Sequence, residues 1–346
     1  MARLIYKQKR FGAEALNTIR IANNICAEYA AAGYDLTLRQ LYYQFVARGY
    51  IANKQSEYKR LGDIINDARM AGLLDWNYLV DRTRNIEKRG QWAHPRDIIE
   101  TAAKTFHTDW WKDQPVHVEV WVEKEALAGV VENTCWGYDV TSLACRGYMS
   151  QSEQWAASQR FLGFIREGKR VVIVHLGDHD PSGVDMSRDN EERIQLFLAH
   201  DLLREWAPGD GQSHTYREIF EWAKNKYDLP SREPLFELRR IALNMDQIEQ
   251  YNPPPNPAKL TDSRATKYID EHGDESWELD ALPPDVLDQL IVDELSTLMD
   301  PDLFEDAKIR EAQYRQRISD LLARHGDVLD EIDNIELEED DDDRES

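Results

Sequence analysis

Several things are scarce in this sequence, and each scarcity narrows what the chain can be. Three cysteines, Cys26, Cys135 and Cys145, lie far apart and in no metal-ligand spacing. They argue against a disulfide framework and suit a reducing cytosol. No run approaches the ~18 apolar residues of a membrane span. The opening MARLIYKQKRFGAEALN lacks the long apolar core of a secretory signal. None of the 17 glycines builds a nucleotide-binding loop. The expectation is a cytoplasmic protein that does not contact a membrane.

Positive charge is also short: 42 Lys+Arg face 65 Asp+Glu, a net charge of -23. Phosphate binding is mainly electrostatic, so this total at first argues against a nucleic-acid partner. The distribution reverses that reading. Residues 1–110 carry 17 Lys+Arg against 12 Asp+Glu, leaving 25 against 53 for the remainder. Much of the acidic excess sits in the tail from Asp330 to Asp343, a block of like charge that reads as disordered. A DNA-facing amino-terminal domain is therefore permitted on an acidic protein. The 42% hydrophobic content and the length of 346 residues suit two folded domains.

Helical patterns cover Ala13 to Ala32, Leu38 to Arg48 behind a Thr37 cap, and Ser56 to Ala71. A short strand, a charged turn and a return follow, from Asn77 to Gly90. Three helices and a basic hairpin are the order of a winged helix, whose wing would hold Arg82, Arg84, Lys88 and Arg89 for DNA. The same stretch also reads as a solvated charged loop. A linking helix is expected at 94–110. The pattern then changes to alternating strands and helices: strand Val116–Val122, helix Glu125–Glu132, strand Val140–Cys145, helix Ser152–Glu167, strand Arg170–Leu176. Such alternation implies an α/β fold with a parallel sheet, mixed α+β overall. Further helices are expected at 215–228, 285–299 and 302–325. The expected domains are 1–110, 111–327 and an acidic tail, 328–346.

Two strand ends carry acidic residues. The first strand runs into Glu123 and Lys124, the third into Gly177-Asp178-His179-Asp180-Pro181-Ser182-Gly183. Residues two apart in extended chain point the same way, so Asp178 and Asp180 face one point and His179 faces away. Ligands of open α/β sheets bind outside the carboxyl ends of strands. Three carboxylates there form an all-oxygen site suited to Mg²⁺, with Mn²⁺ as the alternative, and with waters and phosphate oxygens completing the shell. Each acidic residue taken singly also reads as a helix cap.

At these residues the sequence resembles the Toprim domain of topoisomerases and primases. Val122-Glu-Lys-Glu-Ala matches its glutamate motif, Gly147 its glycine, and Asp178-His-Asp-Pro-Ser-Gly its Asp-x-Asp motif. The form with Pro-x-Gly is most similar to the A subunit of topoisomerase VI and its relative, the meiotic double-strand-break transesterase. Ser182 stands where that family usually has an aromatic residue. Trp277-Glu-Leu-Asp-Ala-Leu-Pro-Pro looks like a late sheet segment of the same family.

The resemblance implies a nucleophilic tyrosine in a preceding winged helix, four residues after an arginine. Thr37-Leu-Arg-Gln-Leu-Tyr-Tyr-Gln-Phe fits, with Arg39 and Tyr43. Helical spacing independently separates the two tyrosines. Leu38, Leu41, Tyr42 and Phe45 fall on one apolar stripe, while Tyr43 lies off it, one turn after Arg39. Tyr42 therefore reads as core and Tyr43 as outward-facing. The alternative for Tyr43 is a surface aromatic or a simple DNA contact.

The implied activity is Mg²⁺-dependent cleavage of double-stranded DNA through Tyr43, as in a type IIB topoisomerase A subunit. Arg39 would contact phosphate, Glu123, Asp178 and Asp180 would hold metal, and Lys124 would touch DNA. In that family each nucleophile works with the Toprim metal of the other protomer, which implies a homodimer, and ATP coupling would come from a separate ATPase subunit or be absent. Two other readings stand beside this one: a hydrolytic Toprim nuclease in which water attacks, and a non-catalytic DNA-binding subunit.

Overall fold

The strand β1 (Val116–Val122) alternates valines with His117, Glu119 and Trp121, so that each of its faces is buried under a different layer. β3 (Arg170–Leu176) is buried at all seven positions, as expected for a strand inside a covered parallel sheet. With β2 (Thr141–Ala144) and β4 (Phe236–Ala242) these form a four-stranded sheet in the order β2-β1-β3-β4. All three pairings are parallel. The protein is thus of mixed α/β class in this computed structural model, which describes residues 3, 5–80, 90–207, 213–257 and 264–328.

Helices make the crossovers: α5 (Ala128–Gly137) between β1 and β2, α6 (Gln151–Arg166) between β2 and β3, and α7 (Pro181–Trp206) with α8 (Tyr216–Lys226) between β3 and β4. The chain leaves β1 toward β2 and then passes over β1 to reach β3. The strand order therefore reverses between β1 and β3, which opens a crevice at their carboxyl ends. The helix expected at 125–132 is in fact a single 3-10 turn at Glu125–Leu127 followed by α5, which continues to Gly137.

Three further helices precede the sheet: α1 (Ala13–Ala31), α2 (Leu38–Ala47) and α3 (Gln55–Met70). Thr37 caps α2 through a reciprocal box: its hydroxyl accepts from Gln40 N–H at 3.2 Å, and its own N–H donates to Gln40 Oε1 at 2.8 Å. Ile19, Ile25, Leu41, Tyr42, Phe45, Leu61 and Ile65 form their shared core. The residues expected to form the wing, Arg82, Arg84, Lys88 and Arg89, lie outside the described residues, as does the acidic tail beyond Val328.

The chain divides into two compact units, one drawn from Met1–Arg84 and Pro115–Met299, the other from Asn85–Gln114 and Asp300–Ser346. The first holds the amino-terminal helices together with the sheet. The second contains α4 (Pro95–Thr105) and α12 (Pro301–Arg324). Within it the buried Glu311 accepts from Thr108 N–H at 2.8 Å and from Trp110 Nε1 at 2.9 Å. The strand β4 and the helices α9 (Met245–Tyr251) and α10 (Ala265–His272) were not expected from sequence, whereas α8 and α11 (Pro284–Leu298) fall at expected places. Among the described residues no helix is long and apolar enough to cross a membrane.

One buried charge ties β1 to α6. Glu119 is 1% exposed and accepts from Arg160 at 2.7 and 2.9 Å and from Trp121 Nε1 at 2.9 Å. Burial alone would raise its pKa, but bonds from His117, Arg160 and Trp121 outweigh burial and hold it at about 2. A depressed carboxylate contributes stability above its unfolded pKa and loses it as pH falls toward the folded value. Between pH 5 and pH 2 the unmodified protein is expected to lose about 3 kcal/mol through this group, a loss absent in Glu119→Gln. Urea unfolding of both proteins across that range measures it, and identical acid losses would remove Glu119 as the cause.

Candidate active site

Glu123 is the first residue past β1, and its N–H donates to Leu176 O of β3 at 2.8 Å. The β1–β3 pairing thus carries it to the crevice. On the other side Cys145 N–H donates to Val122 O at 2.8 Å and Gly147 N–H to Glu123 O at 3.1 Å. Gly147 holds φ at +90°, a left-handed conformation that a side chain resists. Past β3, Asp178 N–H donates to Glu123 Oε2 at 2.8 Å. Asp178 Oδ1 accepts from Leu279 N–H at 2.8 Å, and its Oδ2 pairs with Lys124 Nζ at 2.8 Å. Asp180 caps α7, accepting from Gly183 N–H at 2.6 Å. The intervening His179 turns into a cluster of Tyr268, His272 and Trp277, with its Nδ1 2.7 Å from Tyr268 Oη.

Glu123 and Asp178 are both buried, at 9% and 7% exposure. Burial first, and then the charge of Asp178, raise the Glu123 pKa, and Asp180 adds to the effect. Burial likewise raises Asp178, against the pull of Lys124. This is a carboxylate pair with too little positive charge around it. Among the described residues no three His, Cys, Asp or Glu side chains are grouped so as to hold a metal ion as they stand. Two causes are visible: the Lys124 ammonium sits on Asp178, and an Asp180 oxygen is engaged in the α7 cap. The donor set is nonetheless all oxygen and under-neutralised, which suits a hard divalent cation. Glu123, Asp178 and the Asp180 oxygen outside its cap would hold it.

Two residues fix the turn between these acids. Arg240 on β4 donates to Gly177 O at 3.0 Å, Asp178 O at 2.6 Å and Gly183 O at 3.2 Å, and to Ser187 Oγ at 2.7 Å. A buried guanidinium thus binds the backbone of the acidic loop from beneath. Gly183 approaches so closely that an added Cβ would lie 2.2 Å from Asp178 O and 3.0 Å from Glu123 Oε2. Neither neighbour is the free end of a flexible side chain, since Asp178 O is backbone and Glu123 is hydrogen-bonded. Gly183→Ala is therefore expected to cost about 2–3 kcal/mol of stability, read as a lowered thermal midpoint. An unchanged midpoint would mean that the turn relaxes freely.

Tyr43 is not outward-facing as expected. It is 3% exposed, as deeply buried as Tyr42 at 4%. The apolar stripe of α2 packs on α1 and α3, while its other face is covered by the one-turn helix Leu279–Ala281. That second cover is distant in sequence and leaves no periodic signal in α2. The Tyr42 hydroxyl donates to Asn53 Oδ1 at 2.9 Å, and Asn53 Nδ2 donates to Asn256 Oδ1 at 2.8 Å. Asn256 in turn lies beside the Tyr43 side chain. Burial, then the nearby Glu278 charge, raise the Tyr43 pKa to about 12, against Asn256 and Arg39. The Arg39 guanidinium lies 5.9 Å from the Tyr43 ring centre.

Tyrosine and carboxylates belong to one polar network. Arg39 pairs with Glu278, and its Nε is 3.1 Å from Asp280 Oδ2. Lys124 Nζ reaches the same two carboxylates at 3.0 and 3.3 Å, besides Asp178. The sequence-expected residues Tyr43, Arg39, Glu123, Lys124, Asp178 and Asp180 are thereby gathered around one crevice. No protein-family model matches the chain, and no curated protein matches it significantly.

Glu278, Asp280, Asn256 and Arg240 were not among the residues expected from sequence. Glu278-Leu-Asp280 repeats the acid-x-acid spacing of Asp178-His-Asp180, so a signal for that pair existed. Backbone pairing of His179 with Trp277, at 2.9 Å in both directions, brings the two acidic segments side by side. Arg240 carried no comparable signal.

Proposed function

We propose that this chain cleaves DNA strands in a Mg²⁺-dependent reaction, with Tyr43 as the nucleophile, in the manner of a type IIB topoisomerase A subunit. The observation that supports the reading is the acidic pair Glu123 and Asp178 at the ends of β1 and β3, joined by ion pairs through Lys124 and Glu278 to Arg39, whose guanidinium lies 5.9 Å from the Tyr43 ring centre. The finer layout, a winged helix followed by a Toprim domain, is part of this proposal. So are double-stranded DNA as substrate, a homodimer, a separate ATPase subunit and a cytoplasmic setting.

In this reaction the Tyr43 oxygen forms a bond to phosphorus and the bond to one sugar oxygen breaks. The phenolic proton ends on the departing sugar oxygen, leaving a phosphotyrosine link and a free hydroxyl. A divalent cation at the carboxylates would supply Lewis-acid stabilisation of the phosphate oxygens. Arg39 orients the phosphate and offsets its charge beside the phenol. Lys124 binds an adjacent backbone oxygen, and Arg240 keeps Asp178 and Asp180 aimed at the crevice.

One observation favours a second reading. A phenol that is 3% exposed with a pKa near 12 is a poor nucleophile until it is uncovered. A hydrolytic nuclease, with water attacking, needs no movement of Tyr43. Plasmid DNA incubated with the protein and Mg²⁺, then denatured, separates the two. Protein left covalently on cut ends, with nucleotides on the Tyr43 peptide, is the expected result. Cut DNA free of protein would replace the tyrosine by water, and no cutting with any metal would leave a DNA-binding subunit.

A further inference from the structure

Arg39, beside Tyr43, and Lys124, on Asp178, both have their charges already engaged. Both are held by the same two carboxylates, Glu278 and Asp280. We propose that Glu278 is an internal stand-in for a DNA phosphate: it occupies Arg39 and Lys124 in the free protein and must swing aside for a phosphodiester to bind there. The inference rests on the proposed reading of Arg39 and Lys124 as phosphate contacts.

The two carboxylates differ in a way that assigns their roles. The Asp280 side chain is 1% exposed and fixed, whereas that of Glu278 is 26% exposed. Arg39 is 44% exposed on its side chain, so a phosphate can reach it from solvent. The neighbouring Leu279 N–H is anchored to Asp178 Oδ1 at 2.8 Å. Glu278 can therefore leave by side-chain rotation while the backbone stays. A carboxylate and a phosphodiester present similar oxygens to a guanidinium, and either accepts paired N–H donors. Partly exposed ion pairs contribute little net stability, so exchanging one anion for another costs little. Asp280 remains, keeping Arg39 and Lys124 in register for the incoming phosphate.

The exchange also bears on Tyr43. Glu278 places a negative charge near the phenol and, after burial, is the main influence raising its pKa. A phosphodiester taking its place carries the same single charge, so the exchange sets a phosphate rather than a carboxylate beside the phenol.

The test measures binding, independent of cutting. A fluorescent DNA duplex is titrated with the full chain in chelator, across a range of salt, for the parent, Glu278→Gln, Glu278→Ser and each combined with Arg39→Gln. Both Glu278 variants are expected to bind about three- to fivefold more tightly, and the salt slope should steepen by roughly one as Arg39 loses a competing anion. Arg39→Gln should weaken the Glu278→Gln protein by about fivefold and the parent by less, since only the parent must displace Glu278 to engage Arg39. Equal or weaker binding by folded Glu278 variants, or an equal Arg39→Gln loss in both backgrounds, would overturn the proposal. Unfolding of both Glu278 variants would overturn it too, assigning the pair to structure. Should no metal support cutting while Glu278→Gln still tightens binding, the cleavage reading fails and the stand-in remains.

Discussion

Asp178→Asn is expected to reduce metal-dependent DNA cleavage on the order of 10³-fold or more, with the fold intact. The asparagine keeps an oxygen for the Leu279 N–H, so the backbone contact that docks the 277–280 segment survives. What disappears is the anionic oxygen now paired with Lys124, which a divalent cation would claim. Glu123→Gln should match that loss by a different route. Its amide oxygen still accepts from Asp178 N–H, but the site has one charge fewer. Removing one of two buried like charges also relieves repulsion, so Glu123→Gln should melt in chelator no lower than the parent. Activity and stability then move apart, which separates loss of a metal ligand from loss of structure. Full cleavage by either variant, or by the parent in chelator, would end the metal-carboxylate account.

The acidic crevice was legible because two different patterns meet there. A valine-rich run at 116–122 and an apolar run within 170–176 mark buried strands, and the first polar residues after them sit at the carboxyl ends of those strands. The two-residue spacing of Asp178 and Asp180 then follows from extended backbone. Other elements had no such pattern. β4 carries Glu237, Arg239 and Arg240 within seven residues, and it lies at the sheet edge, where partial burial tolerates charge. Its Arg240 looks like any surface arginine until the acidic loop is folded above it. Tyr43 shows the limit of helical periodicity. The stripe of α2 correctly names its contact with α1 and α3, but its second buried face, covered by Leu279–Ala281 beside the Arg39–Glu278 pair, leaves no period in α2 to detect. The contacts that decide that face come from 256 and 278–280, distant segments that only the tertiary fold brings to α2.

The result that decides how the site works is the contrast between two adjacent tyrosines. Tyr43→Phe is expected to abolish DNA cleavage, a loss on the order of 10⁴-fold or more, because it deletes the attacking oxygen and nothing else. Tyr42→Phe should cleave at the unmodified rate. The Tyr42 hydroxyl donates to Asn53 Oδ1 at 2.9 Å, whereas the Tyr43 side chain is buried beside Asn256 and Arg39. Tyr42→Phe therefore costs ~1 kcal/mol of stability and Tyr43→Phe no more. Matching melting midpoints with opposite activities would isolate chemistry from packing. DNA affinity should be unchanged in Tyr43→Phe, since Arg39 and Lys124 are untouched. Mass analysis of denatured reactions should find nucleotides on the Tyr43 peptide of the parent and of Tyr42→Phe, and on no peptide of Tyr43→Phe. A Tyr43→Phe protein that cuts as fast as the parent would transfer the attack to water. The carboxylate crevice would then be the whole of the catalytic site, and Tyr43 one more buried residue in the contact between α2 and the segment that carries Glu278.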